Sequence, residues 1–208
     1  MKKVFRALKI CIVIAIFSVI ALLIGRIMLS NHYPSGMKNL YPSQNLLAAC
    51  ADGERIEVRT QALLYSYDDP KDTRLMANHF YYSPAAGEVQ VTVRYNTSIL
   101  PKVKEDFKLD EMPQPSADLF VFFLEDEKNG ILYPLTHIET DSYLMYQYAK
   151  LVFSGVEFCE ETENLCVIAY YKGAVDETGK EPYSHITLYH KSLAADDGIF
   201  TVGEEDLR

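Results

Sequence analysis

Residues Ile10–Leu29 constrain this chain more than any other stretch. They read ICIVIAIFSVIALLIGRIML, uncharged and mostly aliphatic from Ile10 to Gly25, then Arg26, then three more apolar residues. A helix rises about 1.5 Å per residue, so this run covers roughly 30 Å, the thickness of a bilayer's hydrocarbon core. Arg26 lies close enough to the end for its long side chain to reach the headgroups. Lys2, Lys3, Arg6 and Lys9 precede the run, and the first acid is Asp52. Basic residues stay in the cytoplasm. The expected arrangement is therefore a single-pass signal-anchor in the cell membrane, N-terminus cytoplasmic and residues from about 30 onward extracytoplasmic. A cleaved signal peptide would have a shorter apolar core, of about 7–15 residues, closed by a small-x-small site. Here the run ends instead in Arg-Ile-Met-Leu-Ser-Asn-His-Tyr. Leu47-Ala48-Ala49-Cys50 has the look of a lipoprotein cleavage box, but residues 30–46 separate it from the apolar core. A short helix carrying one Cys is the better reading.

The expected layout follows from this anchor. Residues 1–9 are a basic cytoplasmic N-terminus and 10–29 the transmembrane helix. Residues 30–53 are a stalk and short helix, 54–191 an extracytoplasmic β domain, and 192–208 an acidic tail with an edge strand at Gly198–Val202. Residues 1–30 hold five of the twenty Lys and Arg and none of the twenty-nine Asp and Glu, so the remainder has 15 against 29 and a net charge of −14. That excludes a nucleic-acid or anionic-membrane surface, both of which demand basic patches. A basic protein partner or loosely held cations remain compatible.

Beyond the anchor the pattern turns to strands. Ser43 is an N-cap for a helix over Gln44–Ala51, closed by Asp52-Gly53. Tyr33, Met37, Leu40 and Tyr41 make the stalk apolar enough to pack on the domain. Ile56, Val58, Ala62 and Leu64 alternate with Arg55, Glu57, Arg59 and Gln61, the period of a half-buried strand. Glu88–Tyr95 alternates most clearly: Val89, Val91, Val93 and Tyr95 on one side, Glu88, Gln90, Thr92 and Arg94 on a side expected to be wet. Residues 100–117, with Pro101, Pro113 and Pro115, read as the longest loop. Leu119–Leu124 is apolar on both faces, as in a central strand. Asn129-Gly130 marks a hairpin leading into Ile131–His137. Ser142–Val152 is Tyr-rich and favours strand. Leu151–Cys159 and Leu165–Tyr171 are expected to pair around the acidic turn between them, and Pro182–His190 is a further strand. Seven to nine short strands and no long helix after the anchor predict a mainly β fold, an antiparallel β-sandwich of immunoglobulin-like architecture. The chain has no Trp, so the core signature of true immunoglobulin domains is absent.

No reaction class announces itself. GxSxG, HExxH, P-loop and GxGxxG patterns are missing, and no catalytic residue, metal ligand or cofactor is assigned. Cys159 and Cys166 could form a disulfide across their turn; Cys50 is the odd one. The five histidines, His32, His79, His137, His185 and His190, are scattered, and no Cys/His cluster has zinc spacing. Acids gather at Asp68/Asp69/Asp72, Glu125/Asp126/Glu127, Glu160/Glu161/Glu163 and Asp196/Asp197. None has the spacing of an EF-hand, and solvated loop charge explains them. The fifteen tyrosines suit strands, or a face that binds protein or glycan. Three functional readings result, the third being an anchored hydrolase with a scattered site. The first is a non-enzymatic, membrane-tethered protein-interaction or accessory module. The second is a domain that binds a small molecule, glycan or cation. A partner module should expose apolar surface, and a ligand domain should hold one concave polar pocket.

Overall fold

Lys2–Ser30 is one uninterrupted helix, α1, with Ile12, Phe17, Leu22 and Ile27 exposed on different sides of it. A helix apolar all round suits lipid, and Lys9–Met28 is long and apolar enough to cross a membrane. The structure is a computed structural model and describes residues 2–30, 32–61, 74–157, 162, 164–174, 182–190 and 198–207. It divides into two units, Met1–Pro34 and Ser35–Arg208.

The second unit is one curled antiparallel sheet, a half-barrel. Among the described residues its strands are β1 (Ile56–Gln61), β2 (Met76–Ser83), β3 (Glu88–Asn96), β4 (Phe120–Asp126), β5 (Ile131–Tyr143), β6 (Tyr146–Ser154), β7 (Asn164–Tyr171), β8 (Ser184–His190) and β9 (Gly198–Val202). Their order is β8-β7-β4-β5-β6-β3-β2-β1-β9. Short helices α2 (Ser35–Lys38), α3 (Gln44–Ala49) and α4 (Leu100–Asp106) complete the unit.

The expected sandwich of two sheets is replaced by this continuous sheet, and β5 is the reason. Its first residues, Ile131–Pro134, pair with β4, whereas Leu135–Tyr143 pair with β6. The register shifts between Leu135 and His137. A bulge bends a strand and increases its twist, so β5 turns the corner and carries the sheet round it instead of ending one layer. The curl brings β8 near β2. Strands β4, β5, β6 and β7 lie in the order β7-β4-β5-β6, a Greek key. The expected pairing of β6 with β7 fails for the same reason: β3 and β5 already occupy both edges of β6, and β7 crosses to β4.

The inner face holds the main core. Val89, Val91 and Val93 of β3, Leu151 and Phe153 of β6, Phe122 and Leu124 of β4, and Leu165 and Val167 of β7 are all buried in it. A smaller cluster of Leu46, Cys50, Ile56, Val58, Val202 and Leu207 lies on the outer face under α3. Ile56 and Val58 therefore point away from the valines of β3, although all of them alternate; Ala62 and Leu64 fall outside the described residues. Ser43 caps α3 as its sequence predicts, its Oγ accepting from Leu46 N at 3.1 Å. Residues 100–117 are not all loop. Leu100–Asp106 is helical with Pro101 in the first turn, where its missing N–H costs nothing, and it buries Leu100 and Val103 one turn apart.

The largest departure concerns β3. Glu88, Gln90, Thr92 and Arg94 alternate as expected but are buried, not wet. Residues 36–43 run across them as a strap. Tyr41 N donates to Gln90 Oε1 at 2.7 Å, and Gln90 Nε2 donates back to Tyr41 O at 2.8 Å. Thr92 Oγ1 donates to Met37 O at 2.5 Å. The strap thus takes from side chains the hydrogen bonds that a neighbouring strand would supply. Gln90→Ala orphans both Tyr41 groups and removes a donor from Glu88. It should cost about 1–3 kcal/mol in urea unfolding and open residues 36–43 to limited proteolysis, whereas an unchanged midpoint and cleavage pattern would mean that the strap is held by other contacts.

Candidate functional site

The buried polar row continues onto β6. Register places Ser154 beside Glu88, Val152 beside Gln90, Lys150 beside Thr92 and Tyr148 beside Arg94. Lys150 is buried and its Nζ donates to Gly36 O at 2.9 Å and to Asn39 O. Glu139 faces it from β5, and Lys38 and His79 lie close enough to the row to act on it electrostatically. Burial pushes the Lys150 amine down to about 8, against the pull of Glu139. His79 is held below the ordinary imidazole value by burial and by the Lys150 and Lys38 charges.

At the Glu88 end the row opens into a cavity of about 480 Å³. Tyr41, Ser43 and Asn45 form one side and Thr136, His137 and Ser154 the other. Glu88 lies in the lining and is itself buried. Ser43 Oγ lies 2.9 and 2.7 Å from its two carboxylate oxygens, and Gln90 Nε2 donates to Oε1 at 2.8 Å. Burial raises the Glu88 carboxyl despite these donors. The His137 ring stacks on Tyr41 with centroids 4.2 Å apart, and its Nε2 is buried without a hydrogen-bond partner among the described residues. The bulge in β5 sets His137 on this wall. A carboxyl and a spare imidazole nitrogen lining one concavity can hold a small polar ligand by hydrogen bonds. A second cavity, of about 360 Å³, lies between Lys38, Tyr81, Phe200 and Asp206.

A third cluster joins β4, β7 and β8. Glu127 follows β4 in the turn, Cys166 is buried on β7, and His185 is half-buried on β8; their ligand atoms lie within 4.8 Å of one another. Glu127 Oε1 is 3.0 Å from His185 Nε2. Sequence reasoning missed this set because its members are 127, 166 and 185 in number and meet only through strand order. The strand alternation of Cys166 and His185 was the available signal, but without the pairing it assigns no common partner.

The other candidates fall as follows. Cys159 lies outside the described residues, so the disulfide to Cys166 has no geometry here; Cys166 Sγ is 3.8 Å from Thr187 Oγ1. Asp68, Asp69, Asp72, Glu160, Glu161, Glu163, Asp196 and Asp197 also lie outside. Asp126 is buried and accepts from Asn129 Nδ2 at 2.8 Å and from Thr162 Oγ1 at 3.1 Å, a turn-closing role. The tyrosines do not gather on one face. Tyr183 stacks on Phe120 in the core, Tyr95 donates to Ser116 O, and Tyr146 lies under the Arg94 guanidinium at 5.0 Å.

No family model and no solved structure matches this chain. It is similar to V0 assembly protein 1 of Saccharomyces cerevisiae (strain ATCC 204508 / S288c), at 28% identity over 130 residues, which cover 56% of this chain and 48% of the relative. The chain therefore spans about half the length of that relative. This likeness and the one candidate membrane helix fit a membrane-associated protein.

Lys150 binds fewer protons folded than unfolded, because its folded value of about 8 lies below the ordinary 10.5. Its contribution to stability should therefore rise with pH between those values, by on the order of 3 kcal/mol. Urea unfolding of the wild type and of Lys150→Met across that window isolates it. The wild type should gain on the variant as pH rises, and a flat difference would mean that Lys150 is solvated.

Proposed function

We propose that this chain is a non-enzymatic, single-pass accessory module of the cell membrane. Helix α1 anchors it with the N-terminus in the cytoplasm, and the β domain acts on a protein partner outside. The observation that carries the reading is the 130-residue similarity to a protein named for assembly. An accessory role is what an anchor plus a folded domain without a reaction motif supplies.

The surface that best suits such a partner is the tip of the β5–β6 hairpin. Tyr143 and Tyr146 pair across a turn made by Leu144 and Met145. All of Tyr143, Leu144 and Met145 are exposed, Leu144 by 69%. Leu144 has φ 52°, a left-handed conformation that hairpin turns normally give to Asn or Gly. A strained apolar residue at an exposed tip gives up both local stability and solubility, which is reasonable where another protein covers it.

A photo-cross-linker at Leu144, used in intact membranes, should give one discrete protein adduct. The same group at Met112, which is also exposed, should not. Adding Met145→Asp to the cross-linker variant should abolish the adduct while leaving the unfolding free energy within about 0.5 kcal/mol. Equal labelling from both positions, or none from either, would sink the reading. The Glu88–His137 cavity favours a second one, a domain that binds a small polar molecule. Recovery of the chain alone with a small molecule bound, lost on Glu88→Gln, would favour it.

A further inference from the structure

From the convergence of Glu127, Cys166 and His185, we infer a site for one thiophilic transition-metal ion, zinc being the best match. The three residues come from the turn after β4 and from the neighbouring strands β7 and β8, and face outward from the main core. Cys166 lies opposite Glu125 and Thr187 in the ladder, with His185 opposite Ile168. The Cys166 thiol is fully buried, while the His185 and Glu127 side chains are 29% and 34% exposed. The sulfur thus forms a floor and the imidazole and carboxylate a rim open to solvent.

The donor set fits the ion. Thiolate, imidazole and carboxylate are the common zinc ligands, at about 2.0–2.3 Å. Those bond lengths put ligand atoms of a tetrahedral site roughly 3.3–3.8 Å apart. A spacing within 4.8 Å is closed by small side-chain rotations. Three protein ligands leave a fourth position for water or for a donor from a partner.

The surroundings are arranged as outer partners of a metal usually are. Asn164 Nδ2 donates to Glu127 Oε2 at 2.8 Å, which leaves Oε1 turned to His185. The other atom of the same amide, Asn164 Oδ1, is buried without a hydrogen-bond partner among the described residues. Two acceptors, Asn164 Oδ1 and the Glu127 carboxylate, thus stand beside the thiol and imidazole, in a chain of net charge −14 after residue 30. A cation relieves that excess. Binding displaces the thiol proton to solvent, leaves the neutral His185 ring protonated on Nδ1 in place of Nε2, and replaces the Glu127–His185 hydrogen bond by two bonds to the ion.

The probe is Co²⁺, added to the chelator-treated full-length chain in detergent, with Zn²⁺ as competitor. One Co²⁺ per chain and a thiolate-to-cobalt charge-transfer band in the near ultraviolet are expected, and Zn²⁺ should bleach the band. Cys166→Ser should abolish it. His185→Gln and Glu127→Gln, both at partly exposed positions that the fold tolerates, should weaken binding by about 100-fold, the upper end of what even outer partners cost. No band, or Co²⁺ uptake that survives these two variants, overturns the site. So does a Cys159–Cys166 bridge in the non-reduced peptide map of the isolated protein, since it would consume the sulfur.

Discussion

The domain depends on one requirement: β3 and β6 are buried on both faces, and one of those faces is polar. A central strand pair normally presents apolar residues to each side. Here Glu88, Gln90, Thr92, Arg94 and Lys150 take the outer positions. Their polar atoms must be paired, since an unpaired buried group costs more than a net hydrogen bond returns. The strap of residues 36–43 supplies partners to Glu88, Gln90, Thr92 and Lys150, mostly through its own backbone, while the Arg94 guanidinium lies over Tyr146. It is a stretch without strand geometry, so its N–H and C=O groups need partners as much as the side chains do. Each half solves the other's problem.

The second determinant is length along β5. Thirteen residues are more than a β4 hairpin uses, and the surplus pairs with β6. Pro134, next to the register shift, cannot donate to a ladder and is tolerated at such irregularities. The sheet therefore bends within a strand and remains continuous. An immunoglobulin-like sandwich would need β5 to end at this point. The strand count and antiparallel pattern are common to both architectures, so composition and periodicity could not separate them. Only the pairing of one long strand does.

What the sequence reveals here depends on how local the cause is. The apolar helix α1, the Ser43 cap, the alternation of Glu88–Tyr95 and the edge strand at Gly198–Val202 are all readable, because each follows from neighbours within a few residues. The burial of Gln90 is not, since its partner Tyr41 lies forty-nine residues away. The hairpin turn Leu144-Met145 carries none of the Gly, Asn or Asp that mark such turns, so the end of β5 and most of β6 read as one segment, Ser142–Val152. Helix α4 was hidden by its own Pro101, which signals loop unless the proline is placed in a first turn. The metal cluster is the extreme case. Its three ligands have no common spacing, and strand order alone unites them.

The chemistry left over after folding points one way. Among the described residues the inner face is filled mainly by aliphatic and aromatic side chains. On the outer face His137 Nε2 and Asn164 Oδ1, unmet among the described residues, sit beside the carboxylates of Glu88 and Glu127, and the chain after residue 30 has a net charge of −14. Such a surface repels anions and attracts cations or basic protein over a Debye length, about 8 Å at physiological salt. Attraction of that kind sets encounter rate and orientation more than affinity. Affinity comes from desolvated apolar anchors, and the Tyr143–Met145 tip is an exposed group of that kind on a defined hairpin. The acidic composition and the small apolar hairpin tip are together the features on which the proposed protein-interaction reading rests.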